Sequence, residues 1–93
     1  MIKSFADKGT ELLFRTGKSK RLPADIMRRA IRRLEYLDLA TCLNDLLVPP
    51  SNRLHALHGS RKGQYSISIN AQWRICFRFA GNDVFDVEII DYH

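Results

Sequence analysis

Before Pro49-Pro50 the apolar residues of this chain recur every three to four positions; from Arg53 onward they recur every second position. The longer repeat lines one face of a helix and the shorter one face of a strand. The chain is therefore expected to combine N-terminal helices with a C-terminal sheet. Ile26, Met27, Ala30, Ile31, Leu34 and Leu37 share one face of a helix predicted over about 23–39, and Pro23 suits its first position. Arg28, Arg29, Arg32 and Arg33 fall on the opposite face, as a solvated surface or as a patch for structured RNA.

Ahead of that helix, residues 1–5 read as a short opening strand anchored by Ile2 and Phe5. Asp7 is placed to cap a first helix over about 8–15, which contributes Leu12, Leu13 and Phe14 and ends at Gly17. Lys18, Ser19, Lys20 and Arg21 form a basic loop. Thr41 caps a short third helix carrying Leu43, Leu46 and Leu47, which Pro49-Pro50-Ser51-Asn52 stops. Three strands follow. Tyr65, Ile67 and Ile69 point inward from the first, Trp73, Ile75, Phe77 and Phe79 from the second, and Phe85, Val87 and Ile89 from the third. Ala71-Gln72 and Gly81-Asn82-Asp83 mark the turns. The expected order is β-α-α-(α)-β-β-β, an α+β fold in which helices pack on one face of a small twisted antiparallel sheet. The other face would carry Arg74, Arg78, Asp86 and Glu88.

Ninety-three residues suit one domain over 1–93, burying roughly 60–65% of the unfolded surface. No apolar run approaches the ~18–20 residues of a membrane span, and the N-terminus lacks the apolar stretch of a signal peptide, so a cytoplasmic protein without membrane contact is expected. Cys42 and Cys76 form no C-x-x-C pair, and the three histidines complete no zinc pattern, so reduced thiols and no metal are expected. Lys and Arg outnumber Asp and Glu by 15 to 10. Ten of the fifteen are arginine, whose planar guanidinium binds two phosphate oxygens at once.

Two clusters carry chemistry. Asp91-Tyr92-His93 places a carboxylate, a phenol and an imidazole in a row at the tip of the last strand, able to orient, donate and accept protons near neutral pH. Strict alternation sends Asp91 and His93 to the same side as Ile89, unless the strand ends or a bulge re-aims them. The second cluster, Arg53 to Gly63, holds two imidazoles and three cations. His55 reads as a packed strand residue, whereas His58, Arg61 and Lys62 sit where the strand opens into a loop, either meeting a ligand or simply solvated. Arg74 lies mid-strand on the polar face, as a cross-strand partner of Asp86 or Glu88 or as a phosphate clamp.

Three segments in this order, Met1-Ile2-Lys3-Ser4-Phe5, then Leu54-His55-Ala56-Leu57-His58-Gly59 through Trp73-Arg74-Ile75, then Asp91-Tyr92-His93, make the chain resemble the HigB-like toxins (plasmid maintenance killer proteins) of the RelE/ParE superfamily, over essentially its whole length. The resemblance implies a small antiparallel sheet with N-terminal helices and a toxin of a bacterial type II toxin–antitoxin pair. It also implies a ribosome-dependent endoribonuclease, or mRNA interferase, that enters the decoding site of the 70S ribosome and cuts mRNA there without a cofactor. The implied partners are the ribosome, its mRNA and a HigA-like helix-turn-helix antitoxin. The family's terminal Asp-Tyr-His falls on Asp91, Tyr92 and His93, and its sheet arginine on Arg74, although the element here reads Gln72-Trp73-Arg74. Where related toxins often carry lysine before the loop glycine, this chain has His58. For the RNA cleavage so implied, the working assignment is His93 as principal acid or base, Asp91 as its orienting group, Tyr92 as a base-stacking or hydroxyl-positioning group, and either His58 as a second proton carrier or the lysine's role moved to Lys62 or Arg61. Arg74, Arg61 and Lys62 would neutralise phosphate. Other actions on the same fold are gyrase inhibition, as in ParE-type relatives, or RNA and ribosome binding without cleavage. A plain interaction subunit is a further alternative.

Overall fold

The computed structural model describes residues 1–92. Helix α1 (Lys8–Thr16) starts at Asp7, whose carboxylate accepts from the Thr10 backbone amide at 3.0 Å and from Thr10 Oγ1 at 2.6 Å. It ends at Gly17, whose φ of 80° is left-handed and comfortable for a residue without Cβ. Helix α2 spans Ala24–Leu39, with Pro23 as its N-cap residue, one position earlier than expected. Its stripe Ile26, Ala30, Leu34 and Leu37 is buried. The expected third helix is a 3₁₀ turn, Leu43–Leu47, capped by Cys42 and not by Thr41; the Asp45 carboxylate accepts from the amides of both residues, and those bonds lower its pKa. A second 3₁₀ turn, Pro50–Asn52, leads to the sheet.

The sheet contains β1 (His55–Ala56), β2 (Tyr65–Ser68), β3 (Trp73–Ala80) and β4 (Asp83–Asp91), in that spatial order and antiparallel throughout. The expected opening strand is reduced to two isolated bridges, Ile2 to Val84 and Phe5 to Val87, which run parallel to β4. The core lies between the helices and one sheet face, where Leu13, Leu34, Leu37, Ile67, Ile75, Phe77, Val84 and Val87 are fully buried. The fold is α+β, as expected.

Strict alternation fails once in β4. Cys76 pairs with Glu88 but Arg78 pairs with Phe85, so Phe77 stands opposite two residues. The extra residue is Asp86, at φ 55°, a left-handed conformation that Asp tolerates better than most. Ser4 holds the bulge: its Oγ accepts from the Asp86 amide at 2.9 Å, and its carbonyl accepts from the Val87 amide at 3.2 Å. Val84 therefore fills the core position expected for Phe85, while Phe85 pairs with Arg78 on the open face.

The arginine face of α2 also departs from expectation. Arg28, Arg29 and Arg32 are exposed, but Arg33 is buried. Its Nε donates to the Ser68 carbonyl at 3.0 Å and its Nη2 to Ser51 Oγ at 3.2 Å, while the guanidinium stacks 5.6 Å from the Tyr36 ring centroid. A residue at the edge of the helical stripe can bury its alkyl stem and reach strand ends that helical periodicity alone does not reveal.

Thr10 joins the helical layer to the strand that leads to the chain terminus. Its Oγ1 gives its proton to Asp7 and accepts from the Ile89 amide at 3.0 Å. Asp7→Ala is expected to lower stability by about 1–2 kcal/mol, because it removes a helix cap and the acceptor of a buried hydroxyl together. A shift of the urea midpoint at constant m would show this; an unchanged midpoint would refute it.

Candidate active site

One end of the open sheet face gathers the chemistry. A cleft of about 400 Å³ is lined by His55, His58, Ser60, Arg61, Ile90, Asp91 and Tyr92, with Leu57 as an apolar wall. β1 supplies His55, and the 3₁₀ turn Gly59–Arg61, which His58 precedes as N-cap, supplies the loop wall. Both imidazoles are exposed and meet edge to face, centroids 6.2 Å apart. The expectation that His55 is a packed strand residue is thus corrected. A two-residue edge strand has too little alternation to fix a face, and His55 opens onto the cleft.

Arg74 occupies the neighbouring hollow with Arg53, Leu54, His55 and Tyr92. Its Nε donates to Ser66 Oγ at 2.8 Å and its Nη2 to the Arg53 carbonyl at 2.9 Å. Arg53 itself adopts φ 49° at the end of the Pro50–Asn52 turn. The Tyr92 ring lies 5.5 Å from the Arg74 guanidinium carbon, within cation–π range. The cross-strand pairing considered for Arg74 does not occur: Glu88 pairs with Arg61 at 3.2 Å and Asp86 with Arg78 at 3.4 Å. Among the described residues no Asp or Glu carboxylate stands within ion-pair distance of Arg74, so two neutral acceptors fix its geometry and leave its charge uncompensated.

The remaining site residues divide. Asp91 continues β4 in phase with Ile89 but is exposed, opposite Trp73 in the register, and accepts from Gln72 Nε2 at 3.1 Å. The Tyr92 amide donates to the Gln72 carbonyl at 2.6 Å, which anchors the end of the strand on the β2–β3 turn. Arg61 borders the cleft while bound to Glu88 and Gln64. Lys62 is exposed and lies outside the cleft lining. His93 lies outside the described residues. The Cys76 thiol is buried under this face, and burial pushes its pKa up, so it is no nucleophile at neutral pH. Among the described residues no cluster of three or more His, Cys, Asp or Glu side chains could hold a metal ion, and no helix is long and apolar enough to cross a membrane.

The model of the RelE-like toxin of type II toxin–antitoxin system HigB matches residues 3–93. The chain belongs to the HigB family of RelE-like toxins. Endoribonuclease HigB of Proteus vulgaris is 41% identical to this HigB-family chain, with all of both chains covered. Toxin HigB-1 of Vibrio cholerae is 40% identical over 85% of this chain and 84% of its own. Among solved structures, the YoeB–YefM toxin–antitoxin complex of Staphylococcus aureus contains a chain that superposes at TM-score 0.62 and 17% identity, covering all of this chain and 95% of that one. YafQ of E. coli superposes at 0.59 and 18%, covering 98% and 91%. At such identities these two establish the shared fold.

Proposed function

We propose that this HigB-family toxin is a ribosome-dependent endoribonuclease that cuts mRNA by metal-free transesterification and so stops translation. The observation that carries the reading is Arg74: a guanidinium fixed by Ser66 Oγ and the Arg53 carbonyl, without a carboxylate partner among the described residues, beside a cleft with two imidazoles. A cation left uncompensated in that way suits a phosphate, and the full-length kinship with a protein named an endoribonuclease supports RNA as its source.

In the proposed reaction a base removes the ribose 2′-OH proton, and the 2′-oxygen attacks the adjacent phosphorus. The P–O5′ bond breaks as an acid protonates the departing 5′-oxygen. The products are a 2′,3′-cyclic phosphate and a 5′-hydroxyl. His93 acts as principal acid or base with Asp91 as its orienting group, and His58 carries the second proton. His55, brought to the same cleft, joins it. Tyr92, half exposed over Arg74, stacks on a base or positions the 2′-OH. Arg74 stabilises the phosphorane, where charge accumulates. Arg61 and Lys62 act as outer phosphate contacts, Arg61 exchanging Glu88 for the substrate. The exposed Arg28 and Arg32 suit backbone contacts with rRNA. The protein partner would be a HigA-like helix-turn-helix antitoxin, and the site of action the cytoplasmic ribosome. The whole of 1–93 acts as one toxin domain.

Mapping RNA ends after incubation with purified 70S ribosomes and a defined mRNA tests this reading. New 5′-hydroxyl ends that need the ribosome, and that vanish when the cut nucleotide is 2′-deoxy, are expected. Cleavage of naked mRNA at the same rate would remove ribosome dependence, and 5′-phosphate ends would remove transesterification. Gyrase inhibition without new ends would point to a ParE-like action.

A further inference from the structure

Arg33 is a cation at 8% exposure whose hydrogen bonds go only to neutral acceptors, the Ser68 carbonyl and Ser51 Oγ. These two acceptors leave the buried charge without an anion among the described residues, which is costly in a low-dielectric setting. It lines a groove of about 240 Å³ between α2 and the β2–β3 turn, together with Arg29, Ser51, Arg53 and Asn70. Arg29 likewise donates only to a carbonyl, that of Ile69, at 3.4 Å. Among the described residues, carboxylate pairs form with Arg15, Arg61, Arg78 and the N-terminal amine, and none with Arg29, Arg33 or Arg53.

Arg53 belongs to two hollows at once. It lines the groove with Arg29 and Arg33, and it also lines the hollow of about 360 Å³ that holds His55, Arg74 and Tyr92. Its carbonyl fixes Arg74. We infer that the groove is a second phosphate subsite, in which Arg53, Arg29 and Arg33 bind a phosphodiester of the same RNA strand whose scissile phosphate is held at Arg74. This rests on the proposed ribonuclease reading for the identity of the strand. Continuity through Arg53 favours the cleaved strand over rRNA, because rRNA contact would not require the groove to open onto the Arg74 hollow.

The test measures binding of 2′-O-methyl oligoribonucleotides, which cannot be cut. A dinucleotide offers one phosphodiester and a tetranucleotide three. The wild-type protein should bind the tetranucleotide at least about tenfold more tightly at low salt, with the salt slope steeper by about 0.7 for each added contact. Arg29→Gln should cut that ratio to about threefold or less while leaving dinucleotide affinity within about twofold, and Arg53→Gln, which also borders the Arg74 hollow, should cut the ratio likewise. Far-UV circular dichroism and thermal melting check that the variants fold. Equal affinity of the wild type for both oligonucleotides, binding of neither, or an unchanged ratio in both variants overturns the subsite. So does a loss confined to binding of mRNA-free ribosomes, which would assign the groove to rRNA. The measurement involves no cleavage, so failure of the endonuclease reading appears in the RNA-end assay and failure of the subsite appears here.

Discussion

Replacing His93 with alanine should slow cleavage of ribosome-bound mRNA by about 10²–10⁴-fold in single turnover, the range a positioned acid–base group contributes. The step needs a proton taken from a weakly acidic hydroxyl and another delivered to a poor leaving group. An imidazole does either near neutral pH. The residual rate would come from phosphate stabilisation, which His93→Ala leaves in place. Binding to the ribosome should change little, because a single imidazole among fifteen Lys and Arg adds little to backbone attraction. A variant that cuts mRNA at the wild-type rate would sink the assignment. A variant that no longer binds the ribosome would recast His93 as a docking residue.

Arg74→Ala should cost about 10²–10³-fold in the same assay, comparable to removing one preorganised donor from a site of developing negative charge. The two hydrogen bonds that hold Arg74 form before substrate arrives, so its orientation does not have to be organised during the reaction. Arg74→Lys should recover little of the loss. An ammonium is a point charge that cannot span Ser66 Oγ and the Arg53 carbonyl while stacking on Tyr92 as a planar group does. Stability gives the control. Ser66 is fully buried and would lose its partner, at a cost of about 1 kcal/mol, so the melting temperature should fall slightly while the rate falls steeply. Cleavage within about threefold of wild type would refute the phosphate role.

The sequence exposed those parts of the molecule that depend on one element at a time. The α2 stripe of Ile26, Ala30, Leu34 and Leu37, the Asp7 cap, the Gly17 stop and the three longer strands all follow from local pattern. What depends on two elements meeting was hidden. Arg33 has the spacing of a surface arginine, and only the nearness of Ser51 and Ser68 buries it. His55 sits on a strand of two residues whose face is set by Ser66 across from it. Phe85 and Val84 exchanged places because Ser4, some eighty residues away, stabilises a left-handed Asp86. At the candidate site, the imidazoles and guanidiniums were visible by type and by the family resemblance. Their partners were not, since Glu88 could have chosen Arg74 and instead took Arg61.

The Asp86 bulge lets Val84 and Val87 both face the helices while Tyr92 faces the open side of the sheet. Val84 and Val87 both face the core, three positions apart, so the bulge reverses the parity of everything downstream. With Val84 held in the core, an unbulged β4 of the same length would turn Tyr92 toward the helices; the bulge keeps Tyr92 over Arg74. The length of β4 is thus read in odd and even steps. Losing or gaining a single residue downstream of the bulge, between Val87 and Tyr92, would turn Tyr92 to the other face, whereas removing Asp86 itself would restore regular alternation and leave Tyr92 aimed as it is. If Tyr92 works at the open face as proposed, the segment after Val87 should tolerate side-chain exchanges better than single-residue length changes.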